Sequence, residues 1–168
     1  SGIMGSRIAC HFANIGVEVL LLDILFESDN VTDNNINLRN KIVNESLQNT
    51  LKSKPSPIYS KSFVNRIKTG NLTDDISKIS EVDWIIEVII ENLEIKKNLF
   101  QNIEKYRKPG TIISSNTSGI RINKMIEDRT DDFCQYFCGT HFFNPPRYLK
   151  LLEIIPSKKT DKKVISFL

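Results

Sequence analysis

Residues 2–23, Gly2-Ile3-Met4-Gly5 running through SRIACHFANIG into Val17-Glu18-Val19-Leu20-Leu21-Leu22-Asp23, decide the fold. The first half reads as a glycine turn entering a helix, with Ile8, Phe12 and Ile15 near helical spacing. Gly16 then stops that helix. The second half is a short, nearly continuous aliphatic run closed by an acid, the pattern of a strand buried on both faces of a parallel sheet. A dinucleotide-binding unit has a strand, then G-x-G-x-x-G, then a helix, with an acid about 20 residues on. Here Gly2 and Gly5 supply the second and third glycines, with Ile3 and Met4 between them. The first strand and first glycine would lie before Ser1, so the unit is expected to be truncated at its N-terminus. Gly2 would let the backbone approach a pyrophosphate, and Gly5 would let the helix pack closely on the sheet. Two glycines three apart also suit an ordinary loop or helix start, and Asp23 an ordinary strand end. Their spacing argues otherwise: Asp23 lies 23 − 2 = 21 residues after Gly2, where an acid accepts hydrogen bonds from a ribose. No Arg or Lys follows closely to accept a 2′-phosphate, which favours NAD over NADP.

Outward from this stretch, residues 24–37 turn polar and Asn-rich, an exposed excursion. A helix is expected over 38–51, ended by Pro55 and Pro57, then a short strand at 67–69 and a brief helix at 74–79. DWIIEVII (83–90) reads as a central strand, 92–106 as an amphipathic helix, 111–115 as a strand and 120–127 as a helix. Strands alternating with helices at these intervals imply a doubly wound, mostly parallel sheet. The tail breaks that rhythm. Residues 136–143 and 149–155 both read as strands, and the connection between them is too short for a parallel crossover, so they should form an antiparallel hairpin.

At 168 residues the chain fits one domain, and 40% hydrophobic with 26% charged residues is ordinary for a globular protein. A net charge of +3 without a basic cluster or nucleic-acid motif argues against a nucleic-acid partner. No apolar run approaches 18 residues, and the N-terminus has no signal-peptide pattern. Cys10, Cys134 and Cys138 cannot all pair and lack CxxC spacing; they read as reduced core thiols, pointing to the cytoplasm. No metal-ligand set is read.

His141 ends the first hairpin strand. If the hairpin turns around Arg147, the midpoint of 141 and 153, His141 and Glu153 fall opposite one another, close enough for an imidazole–carboxylate contact. A carboxylate so placed fixes the imidazole tautomer and stabilises the imidazolium. A histidine and a glutamate can also simply fill a sheet edge. Ser114-Ser115-Asn116-Thr117-Ser118 and Glu91-Asn92 each end a strand at the carboxyl edge, where ligands of open α/β sheets bind, though Asn116 or Ser118 would also serve as a helix cap. His11 sits mid-helix and reads as structural.

Taken together, GIMG, Asp23, VIIEN, SSNTSGI and THFFNPPRYLKLLEII resemble the 3-hydroxyacyl-CoA dehydrogenase family over nearly the whole chain. The resemblance implies a Rossmann-like domain of parallel strands closed by an antiparallel pair, here without its first strand. It implies that a mostly helical second domain, which would carry homo-oligomer contacts, is absent from residues 1–168. The implied activity is reversible NAD-dependent oxidation of an L-3-hydroxyacyl-CoA in fatty acid β-oxidation. His141 is then the base, Glu153 its carboxylate, and Ser118 and Asn144 contact substrate and cofactor. Gly2, Ile3, Met4, Gly5, Asp23, Glu91 and Lys96 match cofactor-contacting positions. The long polar stretch 26–62 resembles forms fused to an enoyl-CoA hydratase, with Ser46 the best candidate for a CoA contact. Two alternatives stay open: a noncatalytic nucleotide-binding module, and a dehydrogenase of the same scaffold acting on a free hydroxy acid.

Overall fold

The computed structural model describes residues 1–26 and 35–168; most of the expected excursion at 24–37 lies outside the described residues. The chain divides into two compact units. One comprises Ser1–Ile76 with Asn144–Lys150, the other Ser77–Phe143 with Leu151–Leu168.

The first unit is built on helix α1 (Gly2–Asn14) and strand β1 (Val19–Asp23). Helix α1 ends where the glycine requires it. Gly16 adopts φ +93°, its N–H donates to Ala13 O, and the Val17 N–H donates to Phe12 O. These two bonds satisfy the last-turn carbonyls and turn the chain toward β1. Strand β1 is two residues shorter than expected, because Val17 and Glu18 remain exposed in the turn. The expected helix over 38–51 is broken into α2 (Ile36–Arg39) and α3 (Lys41–Leu51) at Asn40. Asn40 is buried and its side-chain oxygen accepts from Asn71 Nδ2 at 2.7 Å, a tertiary bond that outweighs helix continuity there. Strand β2 (Ile67–Asn71) runs through Gly70 and pairs in parallel with β1, Val19 opposite Ile67 and Asp23 opposite Asn71. Ala9, Cys10 and Ala13 of α1, Leu21 of β1, Val43 and Leu47 of α3, Ile58 and Ile67 form the core.

The second unit holds a four-stranded sheet of β3 (Trp84–Glu87), β4 (Ile112–Ser115), β5 (Phe137–Phe142) and β6 (Leu152–Pro156), in that order. The first three are parallel, and β5 and β6 are antiparallel as the short connection demands. Strand β3 stops at Glu87, so Val88–Ile90 leave the sheet instead of extending it as the apolar run suggested. Helix α4 (Leu93–Tyr106) starts on Asn92, whose side-chain oxygen accepts the Ile95 N–H, and it buries Lys96, Phe100 and Ile103. Phe100 packs edge-on against Phe133 and Phe137, which stack on each other. Short helices α5 (Ile122–Met125), α6 (Asp131–Gln135) and α7 (Lys162–Phe167) complete the unit. The helix expected at 74–79 is a 3-10 turn, Ile76–Glu81. The strands thus form a parallel pair and a mostly parallel four-stranded sheet closed by an antiparallel hairpin, one in each unit, in keeping with the mostly parallel α/β fold expected without its first strand. Among the described residues β1 pairs only with β2, and β3 only with β4.

Candidate active site

In the first unit, Gly2 opens α1 at φ +60°, a left-handed conformation that favours glycine, and space is open where a Cβ would stand. Gly2 and Ile3 are exposed, while Gly5 is buried against the unit's interior. The first turn of α1 carries no acidic residue, and Ser1 makes no side-chain cap, so its leading N–H groups are available to an anion. Asp23 lies beside this turn: its carboxylate meets the Ser1 hydroxyl and, at 2.8 Å, the Ser1 amine, and accepts the Ile24 N–H at 2.7 Å. The Ser1 hydroxyl and the Ile24 N–H both donate to the Asp23 carboxylate and so favour its ionised form. An anion-ready helix start beside a strand-end carboxylate fits a dinucleotide. Asn144 belongs to the same unit, where its side-chain oxygen accepts from Arg7 of α1. Arg147 and Tyr148 fix the loop that follows by donating to the carbonyl of Ser56, Arg147 at 2.6 Å and Tyr148 at 3.0 Å. Ser46 stands 3.2 Å from the buried Ser6 hydroxyl, an α1–α3 packing contact.

In the second unit, His141 and Glu153 are cross-strand partners in the β5–β6 register, with imidazole Nδ1 2.8 Å from the Glu153 carboxylate. The carboxylate can only accept, so a neutral His141 carries its proton on Nδ1 and its lone pair on Nε2. The imidazole is 21% exposed. The Phe143 ring lies against it at 4.6 Å. Asn116 ties the loop after β4 to this strand end, its side-chain oxygen accepting the Phe142 N–H at 2.8 Å.

That loop is organised by Glu91. Its Oε1 accepts from the Thr117 hydroxyl and from the backbone N–H groups of Ser118 at 3.2 Å and Gly119 at 3.1 Å. Burial raises the Glu91 pKa, but the Thr117 hydroxyl, the Gly119 N–H and the Lys96 ammonium together bring it below the usual value. Ser118 itself is exposed. Lys96 is buried, its ammonium 2.7 Å from Glu87 and 3.4 Å from Glu91.

All 168 residues match the family described as 3-hydroxyacyl-CoA dehydrogenase, NAD binding domain. The chain belongs to this family. It is 50% identical to a probable 3-hydroxyacyl-CoA dehydrogenase of Bacillus subtilis, a match that covers all of this chain and 22% of that protein. It is 42% identical to a putative fatty acid oxidation complex trifunctional enzyme of Rickettsia felis, over 98% of this chain and 22% of the relative. Among solved structures, 3-hydroxybutyryl-CoA dehydrogenase of Escherichia coli K12 superposes with a TM-score of 0.71 at 28% identity, over 99% of this chain and 33% of that one. The chain therefore spans about a fifth to a half of the length of such relatives.

The family resemblance named Glu91, Ser118, His141, Asn144 and Glu153. It gave no role to Thr117, which donates to Glu91, to Arg7, which donates to Asn144, or to Glu87, which pairs with Lys96, another residue the resemblance named. Glu87 alone carried a signal: a charge in the middle of an apolar strand must find a partner.

Proposed function

We propose that the protein containing this chain is an NAD-dependent 3-hydroxyacyl-CoA dehydrogenase that interconverts L-3-hydroxyacyl-CoA and 3-oxoacyl-CoA in fatty acid β-oxidation. The observation that carries the reading is the His141–Glu153 pair, 2.8 Å apart at the end of β5, in a chain of the NAD-binding domain family. When bound, NAD supplies the hydride acceptor. The N–H groups at the start of α1 would receive its pyrophosphate, and Asp23 its adenosine ribose. Because Nδ1–H is donated to Glu153, Nε2 is the atom that takes the proton from the substrate hydroxyl. Glu153 then offsets the positive charge on the ring. Ser118 and Asn144 orient the substrate oxygen and the nicotinamide, a contribution of geometry.

The same proposal treats residues 1–168 as the NAD-binding domain of a longer protein. A further strand would use the open edge of β1, and a helical domain would carry homo-oligomer contacts. The greater length of the relatives supports this. Location in the cytoplasm fits the three unpaired cysteines; no helix among the described residues is long and apolar enough to cross a membrane. The test is NADH formation by the full-length protein with a panel of L-3-hydroxyacyl-CoA thioesters and the matching free acids. Turnover of the thioesters alone is expected. Turnover of the free acids alone, or NAD binding with no turnover of either, would overturn the assignment.

A further inference from the structure

Glu87 takes no part in the chemistry proposed above, yet it is among the most completely enclosed charged groups among the described residues. Its side chain has no exposed surface, and that of Lys96 is 1% exposed. A buried ion pair is retained only when every remaining donor and acceptor is satisfied, and here the accounting closes. Glu87 Oε1 accepts from Lys96 Nζ at 2.7 Å and from the Ile89 N–H at 2.6 Å, while Oε2 accepts from the buried Ser115 hydroxyl. The three donors of the Lys96 ammonium face Glu87, the Ile89 carbonyl at 3.4 Å and Glu91 Oε2 at 3.4 Å. The outer oxygen of Glu91 is thereby held against Lys96, and its inner oxygen gathers the Thr117 hydroxyl with the Ser118 and Gly119 N–H groups. Thr117 in turn accepts the Gly119 and Ile120 N–H groups. One continuous polar chain thus runs from the floor of the sheet to the loop that presents Ser118.

Two features mark this chain as more than a way of neutralising a lysine. Lys96 is fully enclosed by protein partners, so it reaches the surface only through Glu91. Glu91 spends one oxygen on the loop and the other on Lys96, which fixes the backbone of 117–119 before any ligand arrives. A neutral residue at 87 would leave the ammonium a single strong partner, half-exposed Glu91, and draw it away from the strand.

We propose that Glu87 and Lys96 are positioning residues that act through Glu91 to preset the Ser118–Gly119 loop for the cofactor and substrate. This rests on the functional reading of Ser118 given above, but the loop geometry can be measured without it. The experiment uses the full-length protein with Glu87→Gln, Lys96→Met and the double variant, which removes both buried charges together and so avoids stranding either one. Hydrogen exchange resolved to the 117–120 amides reports the loop. KM for NAD, kcat and Tm report its consequences.

In the double variant, Tm should stay close to wild type, while the Ser118 and Gly119 amides exchange at least about tenfold faster, the factor expected for weakening one charge-assisted hydrogen bond. KM for NAD should rise by about the same factor. Glu91→Gln should show the same loosened amides. A double variant with wild-type exchange at the Ser118 and Gly119 amides would overturn the proposal whatever its KM, because Lys96 matches a cofactor-contacting position and KM alone could rise through a lost contact. If the full-length protein turned over no hydroxyacyl-CoA, the functional reading would fall. Loosened amides in the double variant would still uphold the positioning of the loop, and unchanged amides would still refute it.

Discussion

Replacing Asp23 with Ser in the full-length protein should collapse its discrimination between NAD and NADP. The carboxylate stands at the end of β1, 20% exposed, beside the start of α1, and as an aspartate it is ionised at neutral pH. A hydrogen bond from a ribose hydroxyl to such a carboxylate is worth about 1.5–3 kcal/mol. Its loss should raise KM for NAD by about 10–100-fold. Toward NADP the change has the opposite sign. A carboxylate about 5 Å from a 2′-phosphate, at an effective dielectric near 20, repels each phosphate charge by about 3 kcal/mol. Solvent screening at this half-open position reduces that figure. The two effects add in the ratio, so kcat/KM for NAD over NADP should fall by about 10²–10³-fold. The assay is initial rate at 340 nm with each cofactor, alongside Tm to show that the variant is folded. A folded variant that kept the wild-type ratio would refute the assignment of Asp23 to the ribose.

Burial pushes the Cys10 and Cys138 thiols up to about 11 and also raises that of Cys134, so none of the three should be labelled by a thiol reagent at pH 8 until the protein is unfolded; mass mapping of native and denatured samples decides this. The Arg39 guanidinium, assisted by Asn71, holds the Asp74 carboxyl at about 2 against an ordinary 3.8. Its stabilising contribution is therefore complete above 3.8 and lost as the pH falls toward 2, so Asp74→Asn should flatten the acid-unfolding curve in that window; superimposable curves would show that the pair contributes nothing. Phe100→Ala removes a fully buried ring that meets Phe133 at 5.8 Å and Phe137 at 5.1 Å, and should cost about 3–5 kcal/mol in urea unfolding. A loss below about 1 kcal/mol would mean that the three rings do not form a tight core.

The parts of the fold that were legible are those set by short-range rules. Val19–Asp23 could be read because an aliphatic run broken only by Glu18, between a glycine stop and an acid, has few other uses. The His141–Glu153 pairing could be read because a connection too short for a crossover forces antiparallel strands, and the register then follows from the turn's midpoint. What escaped depends on distant partners. The break at Asn40 is caused by Asn71, 31 residues away, and the early end of β3 by the demands of Glu87 on the Ile89 N–H. Helix α6 was missed although Thr130 followed by Asp131 and Asp132 is a helix-start signal; the Thr130 hydroxyl accepts the Phe133 N–H as that signal implies. At the site, the sequence motifs named exposed residues such as Ser118 and buried ones such as Lys96, but not the contacts that hold them. Arg7 lies 137 residues from the Asn144 side chain it holds, beyond the reach of any local pattern, while Glu87, a charge within an apolar run, signalled that it needs a partner but not that the partner is Lys96.

The most direct measurement is kcat for His141→Gln in the full-length protein, with L-3-hydroxyacyl-CoA and NAD and with cofactor affinity measured in parallel. Glutamine preserves the hydrogen-bonding bulk of the side chain at the end of β5 but cannot take a proton. The variant should fold and bind NAD as wild type does, while kcat falls by about 10²–10⁴-fold. Glu153→Gln, which keeps the shape and removes only the charge beside Nδ1, should fall by less. A folded His141→Gln protein with near wild-type kcat would contradict the assignment of His141 as the base.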